Sequence, residues 1–595
     1  MTVPHTLGRD PTLIGRVRHV MGATITVELS HDVAGGSPLF RGRVYHIGQV
    51  GSLVAIPQGP IRVIGAVSMI GIAELVEPPP PGRFNPQGDR WLTVQLLGEL
   101  DVFGKFQRGV STFPSLDDEV HFATSDELGA IYPRQTQGFI AIGRLSATRN
   151  DIFRVNLAKL VTRHAAVVGS TGSGKSSTVT RIIQAVLHAG YGRANIVVID
   201  PHGEYSAGLA AHATVMSIGG AGAQSLNVPY WALGVEDLIR AYLGTRTTPN
   251  PILKTKVEEL VLRFRREWLA KSAWPAPQQD DITADTPVPY DLRSVWYELD
   301  FHNRAIARGN KNSGDYAVID AGSAQELRPA KFAPYAPGGP FQGPVFGQYR
   351  PLPDRMLLRL RDPKFQFLSR SFPDPAAPDP LPEILSQWLG GLKPVSVLDF
   401  SSAASDASDV AIGAVLSLLF EVATACPANM GIGRSRPVWI VLEEAHRFLG
   451  EKVTGAAGAA REAAERIARE GRKYGVGLML VSQRPAELSD TVLSQCGTFV
   501  SMRLANPADQ GRVKSALPDT VANLADALPA LRTGEALVTG EATTLPARVM
   551  VDRPSPEPNA ADPTVESWRG DETMNDVTTA VQHWRGGGAV TEGTT

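Results

Sequence analysis

Eight consecutive residues, Gly169-Ser170-Thr171-Gly172-Ser173-Gly174-Lys175-Ser176, satisfy the pattern G-x-x-x-x-G-K-[ST] at every fixed position. Glycines at these places let the backbone curl until successive N–H groups point inward. The helix that follows presents its positive end to the same spot. Such a nest holds a polyphosphate: Lys175 reaches the β- and γ-phosphates, and the Ser176 hydroxyl ligates Mg²⁺. In a chain with 58 glycines the pattern can arise by chance, so its setting decides. Ala165 to Val168 before it reads as a strand. After it, Val179, Ile182, Ile183, Val186 and Leu187 make one apolar helical stripe. Strand, glycine turn and amphipathic helix are the required setting, and the implied ligand is a nucleoside triphosphate with Mg²⁺.

Hydrolysis of that ligand needs a carboxylate. Val438-Trp439-Ile440-Val441-Leu442 is an apolar strand ending in Glu443 and Glu444, and the carboxyl ends of parallel strands face the ligand crevice. Glu443 is placed to hold Mg²⁺ and Glu444 to polarise the attacking water. Gln483, after the strand Gly477 to Ser482, reads either as a γ-phosphate sensor or as a solvated loop residue. Asp200-Pro201-His202-Gly203-Glu204-Tyr205 leaves the strand Ile196 to Asp200. Its Pro and Gly dictate a turn, and its titratable groups put Asp200 and His202 near the nucleotide. Arg461 to Lys473 reads as a solvated helix with Glu462/Arg466 and Glu465/Arg469 at i,i+4. Its last turn carries Arg469, Arg472 and Lys473, any of which can neutralise transition-state charge; the alternative is an arginine from a neighbouring subunit.

These side chains need a common scaffold. Residues 165–200 form a βαβ unit. Apolar runs at Val395 to Phe400, Val438 to Leu442, Gly477 to Ser482 and Thr498 to Leu504 supply further parallel strands, with two more at Glu535 to Thr539 and Ala547 to Asp552. The fold class is α/β: one core in two parts, 146–225 and 391–552, split by a largely helical insertion over 226–390. Within the insertion, 325–355 is rich in Pro, Gly and Phe and reads as an irregular loop. Upstream, residues 1–145 alternate in short runs such as Ile25 to Leu29 and Leu92 to Leu96. Gly35-Gly36, Gly48 to Gly51 and Pro78 to Pro81 punctuate them, the pattern of a small closed β-barrel that serves as a platform. Residues 553–595 read as a polar tail holding Trp568 and Trp584, each followed by Arg-Gly.

Composition narrows the class. With 43% hydrophobic and 20% charged residues, wholesale disorder is excluded. Two cysteines, Cys426 and Cys496, exclude a disulfide scaffold and a Cys-based zinc site. No run of 18 uncharged apolar residues and no basic-then-apolar leader is present, so the expected location is cytoplasmic, with no membrane partner. A net charge of −2 argues against a wholly basic nucleic-acid binder; any such contact must come from a local patch or from a ring of patches.

Gly169 to Ser177, Asp200 to Tyr205, Val395 to Phe400, Leu442-Glu443-Glu444-Ala445-His446 and Glu470-Gly471-Arg472-Lys473-Tyr474-Gly475 with Ser482-Gln483-Arg484-Pro485 together resemble the HerA ATPases, of the bacterial type. These belong to the HerA–FtsK group of hexameric DNA translocases. The resemblance implies a RecA-like P-loop core with a mostly parallel sheet, an N-terminal small β-barrel and a helical insertion. It further implies a homohexamer with ATP and Mg²⁺ between subunits, double-stranded DNA in the channel, and a nuclease or NAD-hydrolysing effector partner bound through the barrel. By motif, Lys175 and Ser176 bind phosphate and magnesium, and Glu444 is the catalytic carboxylate beside Glu443. Gln483 becomes the sensor, Arg472 an arginine acting within its own subunit, and Arg163 one reaching the adjacent subunit. The small-residue loop Gly450 to Ala460 is the pore candidate. Two functions stay open at this point: a motor on duplex DNA, and a nucleotide-gated ring that assembles an effector. A conjugation-type pump is disfavoured because no segment spans a bilayer.

Overall fold

The computed structural model describes residues 10–30, 39–45, 49–72, 90–132, 137–148, 151–218, 225–243, 251–274, 281–369, 372–391, 393–403, 405–450, 457–517, 522–559 and the single positions 569, 577, 578 and 581. Gly35-Gly36, Gly48, Pro78 to Pro81, residues 451–456 of the small-residue loop, and Trp568 and Trp584 lie outside the described residues.

Six antiparallel strands close into a barrel: β1 (Leu13–Met21), β2 (Thr24–Leu29), β3 (Leu53–Gln58), β4 (Ile61–Ile72), β5 (Arg90–Leu100) and, after a short β6 (Phe106–Arg108), β7 (Glu119–Phe122). The order is β2-β1-β7-β3-β4-β5, closed by β2 on β5, with β6 added to β5. Alternate residues fill its interior, among them Ile14, Val17, Ile25, Val27, Val63, Val67, Leu92, Val94 and Val120. That alternation is the period-2 signal of strands with one buried face. Register shifts in β1 and β4 supply the bends that closure needs. Arg108 fixes the barrel to the rest of the chain by donating to the carbonyls of Thr544, Thr543 and Gly540 at 2.7, 2.5 and 3.0 Å.

The core is an eleven-stranded sheet. It is built from β8 (Phe139–Leu145), β9 (Ile152–Asn156), β10 (Ala165–Val168), β11 (Asn195–Asp200), β12 (Ala213–Ser217), β13 (Val395–Asp399), β14 (Val438–Leu442), β15 (Val476–Ser482), β16 (Thr498–Ser501), β17 (Glu535–Gly540) and β18 (Ala547–Val551). Their order is β9-β8-β18-β17-β16-β10-β15-β14-β11-β13-β12. From β16 to β12 all neighbours are parallel; β17, β18, β8 and β9 add antiparallel. Strand β10, which leads into the phosphate loop, is central, and its four residues are all buried. The sequence reading includes residues 139–145 in its first segment, 1–145, without reading a strand there. In the structure β8 pairs with β18, so the core begins before residue 146. Strand β12, on the other edge, has no counterpart in the sequence reading.

Between β12 and β13 the chain is mostly helical, with helices Val235–Leu243, Pro251–Leu269, Leu292–Arg304 and Leu352–Arg361. The Pro-rich part holds only two-residue strands, Lys331–Phe332 and Phe341–Gln342, before the last of these helices. Arg265 is wholly buried and donates to the carbonyls of Trp231 and Leu233 at 3.0 and 3.4 Å, with its guanidinium 5.1 Å from the Tyr290 ring. The segment Ala407–Ala425 is long and apolar enough to cross a membrane, but 72% of it is buried inside the protein. The Ala457–Tyr474 helix keeps one of its two expected i,i+4 pairs, Glu465 with Arg469 at 3.8 Å, and not Glu462 with Arg466. Glu462 pairs with Arg240 at 2.8 Å and Arg466 with Glu421, while Glu465 takes both Arg461 and Arg469. The helix is thereby tied to its neighbours.

Gly477 permits the closest backbone approach in the sheet: a Cβ there would lie 1.6 Å from the Val161 carbonyl oxygen. Gly477→Ala is expected to cost about 3 kcal/mol or more through forced backbone displacement, read as a lowered thermal unfolding midpoint or as insoluble protein. An unchanged midpoint would contradict this packing.

Candidate nucleotide-binding site

Gly172 and Gly174 adopt φ of +71° and +101°, left-handed conformations that glycine takes without strain. A Cβ at Gly169 would meet Ser173 Oγ at 2.6 Å and Met502 Cβ at 2.8 Å. The loop is braced from outside: Ser170 donates through its N–H and Oγ to the Arg503 carbonyl at 2.8 and 2.9 Å, and Gly534 N–H donates to the Ser173 carbonyl at 2.9 Å. Lys175 opens the Lys175–His188 helix, is 8% exposed, and folds back to donate to the Ser170 carbonyl at 3.4 Å. Ser177 follows in the same first turn, half-buried.

Strand pairing assembles the other groups. Val168 and Ser482 are partners across β10 and β15, so Gln483 emerges beside the loop, where its side-chain carbonyl accepts from Thr171 Oγ1 at 2.7 Å. Glu443 leaves β14 almost fully buried, at 2% exposure, and accepts a short hydrogen bond from the Tyr205 hydroxyl. Burial pushes its carboxyl well above the ordinary range, and the neighbouring Glu444 and Glu204 push the same way. Glu444 occupies a left-handed backbone position, φ +49°, and sits 3.0 Å from Nδ1 of His446. Burial opposes its charge, but His446, Lys175 and His202 outweigh burial and hold the carboxyl below its usual value. Two adjacent carboxyls thus have opposite tendencies: one is driven toward neutrality, the other held as an anion.

Asp200 lies at the crevice end of β11, on the turn that carries Glu204 to the phosphate loop. It is fully buried, and its oxygens accept the N–H groups of His202, Gly203 and Tyr205 at 3.2, 2.8 and 2.9 Å, so it organises a turn and has no contact with the phosphate loop. His202 is exposed on that turn. The residue that reaches the loop is Glu204, whose Oε2 accepts from Ser176 Oγ at 2.5 Å. Arg472 departs from expectation. It is exposed in the last turn before β15, whereas the loop lies at that strand's other end, about 20 Å away at the rise of a strand. That placement does not bring it to a nucleotide on its own loop. Arg163 caps the Leu157–Thr162 helix at the entry to β10, paired with Glu541 at 3.2 Å and likewise away from its own loop.

Two family models span this architecture. "Helicase HerA, central domain" matches residues 140–419, and "Helicase HerA-like C-terminal" matches residues 382–564. The chain belongs to the HerA family. It is 26% identical over 491 residues to the DNA double-strand break repair helicase HerA of Sulfurisphaera tokodaii, covering 80% of this chain and 81% of that one. To the protein of the same name from Pyrococcus furiosus it is 26% identical over 495 residues, 77% of each. Among solved structures, VirB4 of Thermoanaerobacter pseudethanolicus aligns with a TM-score of 0.46 at 13% identity, over 70% of this chain and 97% of that one.

For this HerA-family ATPase the Ser176 hydroxyl, with the carboxylate of Glu204 against it, is an oxygen-only setting that suits a hard cation such as Mg²⁺. Glu204 shared the expectation that the titratable groups of its turn lie near the nucleotide, though its partner Ser176 was not foreseen; His446 stood in its motif without a role. Two predictions concern the groups around Glu444 and the loop. His446→Gln should move the acid limb of the turnover–pH profile to higher pH, because burial would then be opposed only by more distant charges; an unmoved limb would remove His446 from this role. Gln483→Ala should lower kcat about tenfold, the worth of one hydrogen bond to a charged group, while leaving ATP affinity within about twofold. Equal losses in both would make Gln483 a binding residue only.

Proposed function

We propose that this chain is an ATP-driven motor that translocates double-stranded DNA as a homohexameric ring in the cytoplasm. The observation that carries the reading is the convergence of the phosphate loop, Glu443, Glu444 and Gln483 at the carboxyl ends of neighbouring strands. It occurs in a chain whose relatives, matched over 81% and 77% of their own lengths, are named DNA double-strand break repair helicases. In this reading Lys175 and the loop amides bind the triphosphate, Ser176 takes Mg²⁺, Glu444 polarises the attacking water and Gln483 senses the γ-phosphate. Arg163 lies at the end of β10 opposite its own loop, paired with Glu541, a position compatible with an arginine acting on the neighbouring subunit's nucleotide. The barrel carries no such constellation among its described residues, which supports a platform for a nuclease or NAD-hydrolysing effector in DNA-end processing or anti-phage defence.

The test is ATP turnover with and without linear double-stranded DNA at two salt concentrations. A motor shows large stimulation that falls steeply as salt rises, because phosphate contacts release counterions. Slow turnover indifferent to DNA would overturn the motor and favour a nucleotide-gated scaffold.

A further inference from the structure

The turn from Asp200 to Tyr205 is built more rigidly than a connection requires. Asp200 locks it through three backbone amides, and Gly203, at φ +73°, lets the chain reverse. Two consecutive side chains are delivered as a result. Tyr205, wholly buried, donates its hydroxyl to Glu443. Glu204 accepts the hydroxyl of Ser176 at 2.5 Å. A serine hydroxyl has one proton and two lone pairs. When its proton is committed to a carboxylate, the lone pairs remain for a cation, and the hydroxyl cannot rotate away. Glu443, the strand-end acid expected to hold Mg²⁺, has one of its oxygens engaged by Tyr205.

We propose that Glu204 is the positioning residue that fixes the Ser176 hydroxyl for Mg²⁺. The turn then acts as a double latch, with Glu204 holding the metal-binding hydroxyl and Tyr205 holding the strand-end acid. Outer-shell carboxylates of this kind orient metal ligands, and their loss typically costs 10–100-fold in metal affinity. This inference rests on the reading that the loop binds ATP with Mg²⁺.

The experiment measures two affinities on the full-length protein. One is Mn²⁺ binding by electron paramagnetic resonance with a non-hydrolysable ATP analogue present; the other is binding of a fluorescent ATP analogue in EDTA. Glu204→Gln is expected to weaken Mn²⁺ binding about 10–100-fold and to leave metal-free nucleotide affinity within about twofold. Glu204→Asp, which keeps the charge but shortens the reach, is expected to fall between, and it reads the same effect should the Gln variant not fold. Adding Glu204→Gln to Ser176→Ala should bring no further loss, because both act through one hydroxyl. Wild-type Mn²⁺ affinity in both Glu204 variants, or additive losses with Ser176→Ala, would overturn the proposal. A wild-type protein that binds no nucleotide in EDTA would overturn the ATP reading beneath it.

Discussion

Lys175→Ala is expected to lose nucleotide binding by at least about 100-fold and to turn over ATP at background rate. The Lys175 side chain is 8% exposed and lies against the loop that it must serve, 3.4 Å from the Ser170 carbonyl. Its ammonium is the cation placed to meet two phosphates, and each hydrogen bond to a charged partner contributes about 1.5–3 kcal/mol. Removing both exceeds the roughly 2.7 kcal/mol that separates Kd values differing 100-fold. The fold should survive, because Gly172, Gly174 and the braces from Arg503 and Gly534 shape the loop independently of Lys175. Titration of a fluorescent ATP analogue and steady-state turnover check this. Binding within tenfold of wild type would mean that the loop's amides alone hold the triphosphate.

Glu444→Gln should have the opposite division: nucleotide binding close to wild type, with turnover lowered about 10²–10⁴-fold, the range for loss of a general base. The substitution keeps shape and leaves the left-handed backbone as it is, since Gln pays the same penalty of about 1–2 kcal/mol there as Glu. It removes the one carboxyl in the pair that its surroundings hold as an anion. The buried Glu443 cannot substitute, because burial favours its neutral form and its oxygen is engaged by Tyr205. Normal turnover in Glu444→Gln would sink the assignment of Glu444 as the base. A matching loss of nucleotide affinity would instead make it a binding group.

Much of this architecture was legible in the residues. The strands at Ala165 to Val168, Val395 to Phe400, Val438 to Leu442 and Gly477 to Ser482 announced themselves as apolar β-branched runs, because a sheet covered on both faces demands them. The phosphate loop was legible because its glycines and lysine have fixed spacing. Strand β8 was not, since a short apolar run such as Phe139 to Leu145 does not say whether its partner lies in the barrel or in the core sheet. Glu204 was hidden because spacing along a turn does not say whose hydroxyl a carboxylate meets. The placement of Arg472 is legible in chain direction. A helix running into a parallel strand ends at the strand's amino edge, opposite the crevice, so chain direction alone separates Arg472 from its own loop.

The position of β10 in the middle of the sheet has a consequence for how the protein is made. Its two hydrogen-bonding neighbours, β15 and β16, are encoded more than 300 residues later. At roughly 5–20 residues per second, the ribosome leaves the phosphate-loop strand without either neighbour for roughly 15 to 65 s. Both edges of an apolar strand stay open throughout, the state most prone to pairing with another nascent chain. The closing hairpin β17–β18 emerges later still, yet β8 and β9 hang from it. The barrel, complete by Phe122, can form while synthesis continues; the engine cannot. A translational pause or a truncation anywhere in the insertion therefore releases a chain that owns a finished barrel and an aggregation-prone half-sheet, and holdase chaperones should engage it during that interval.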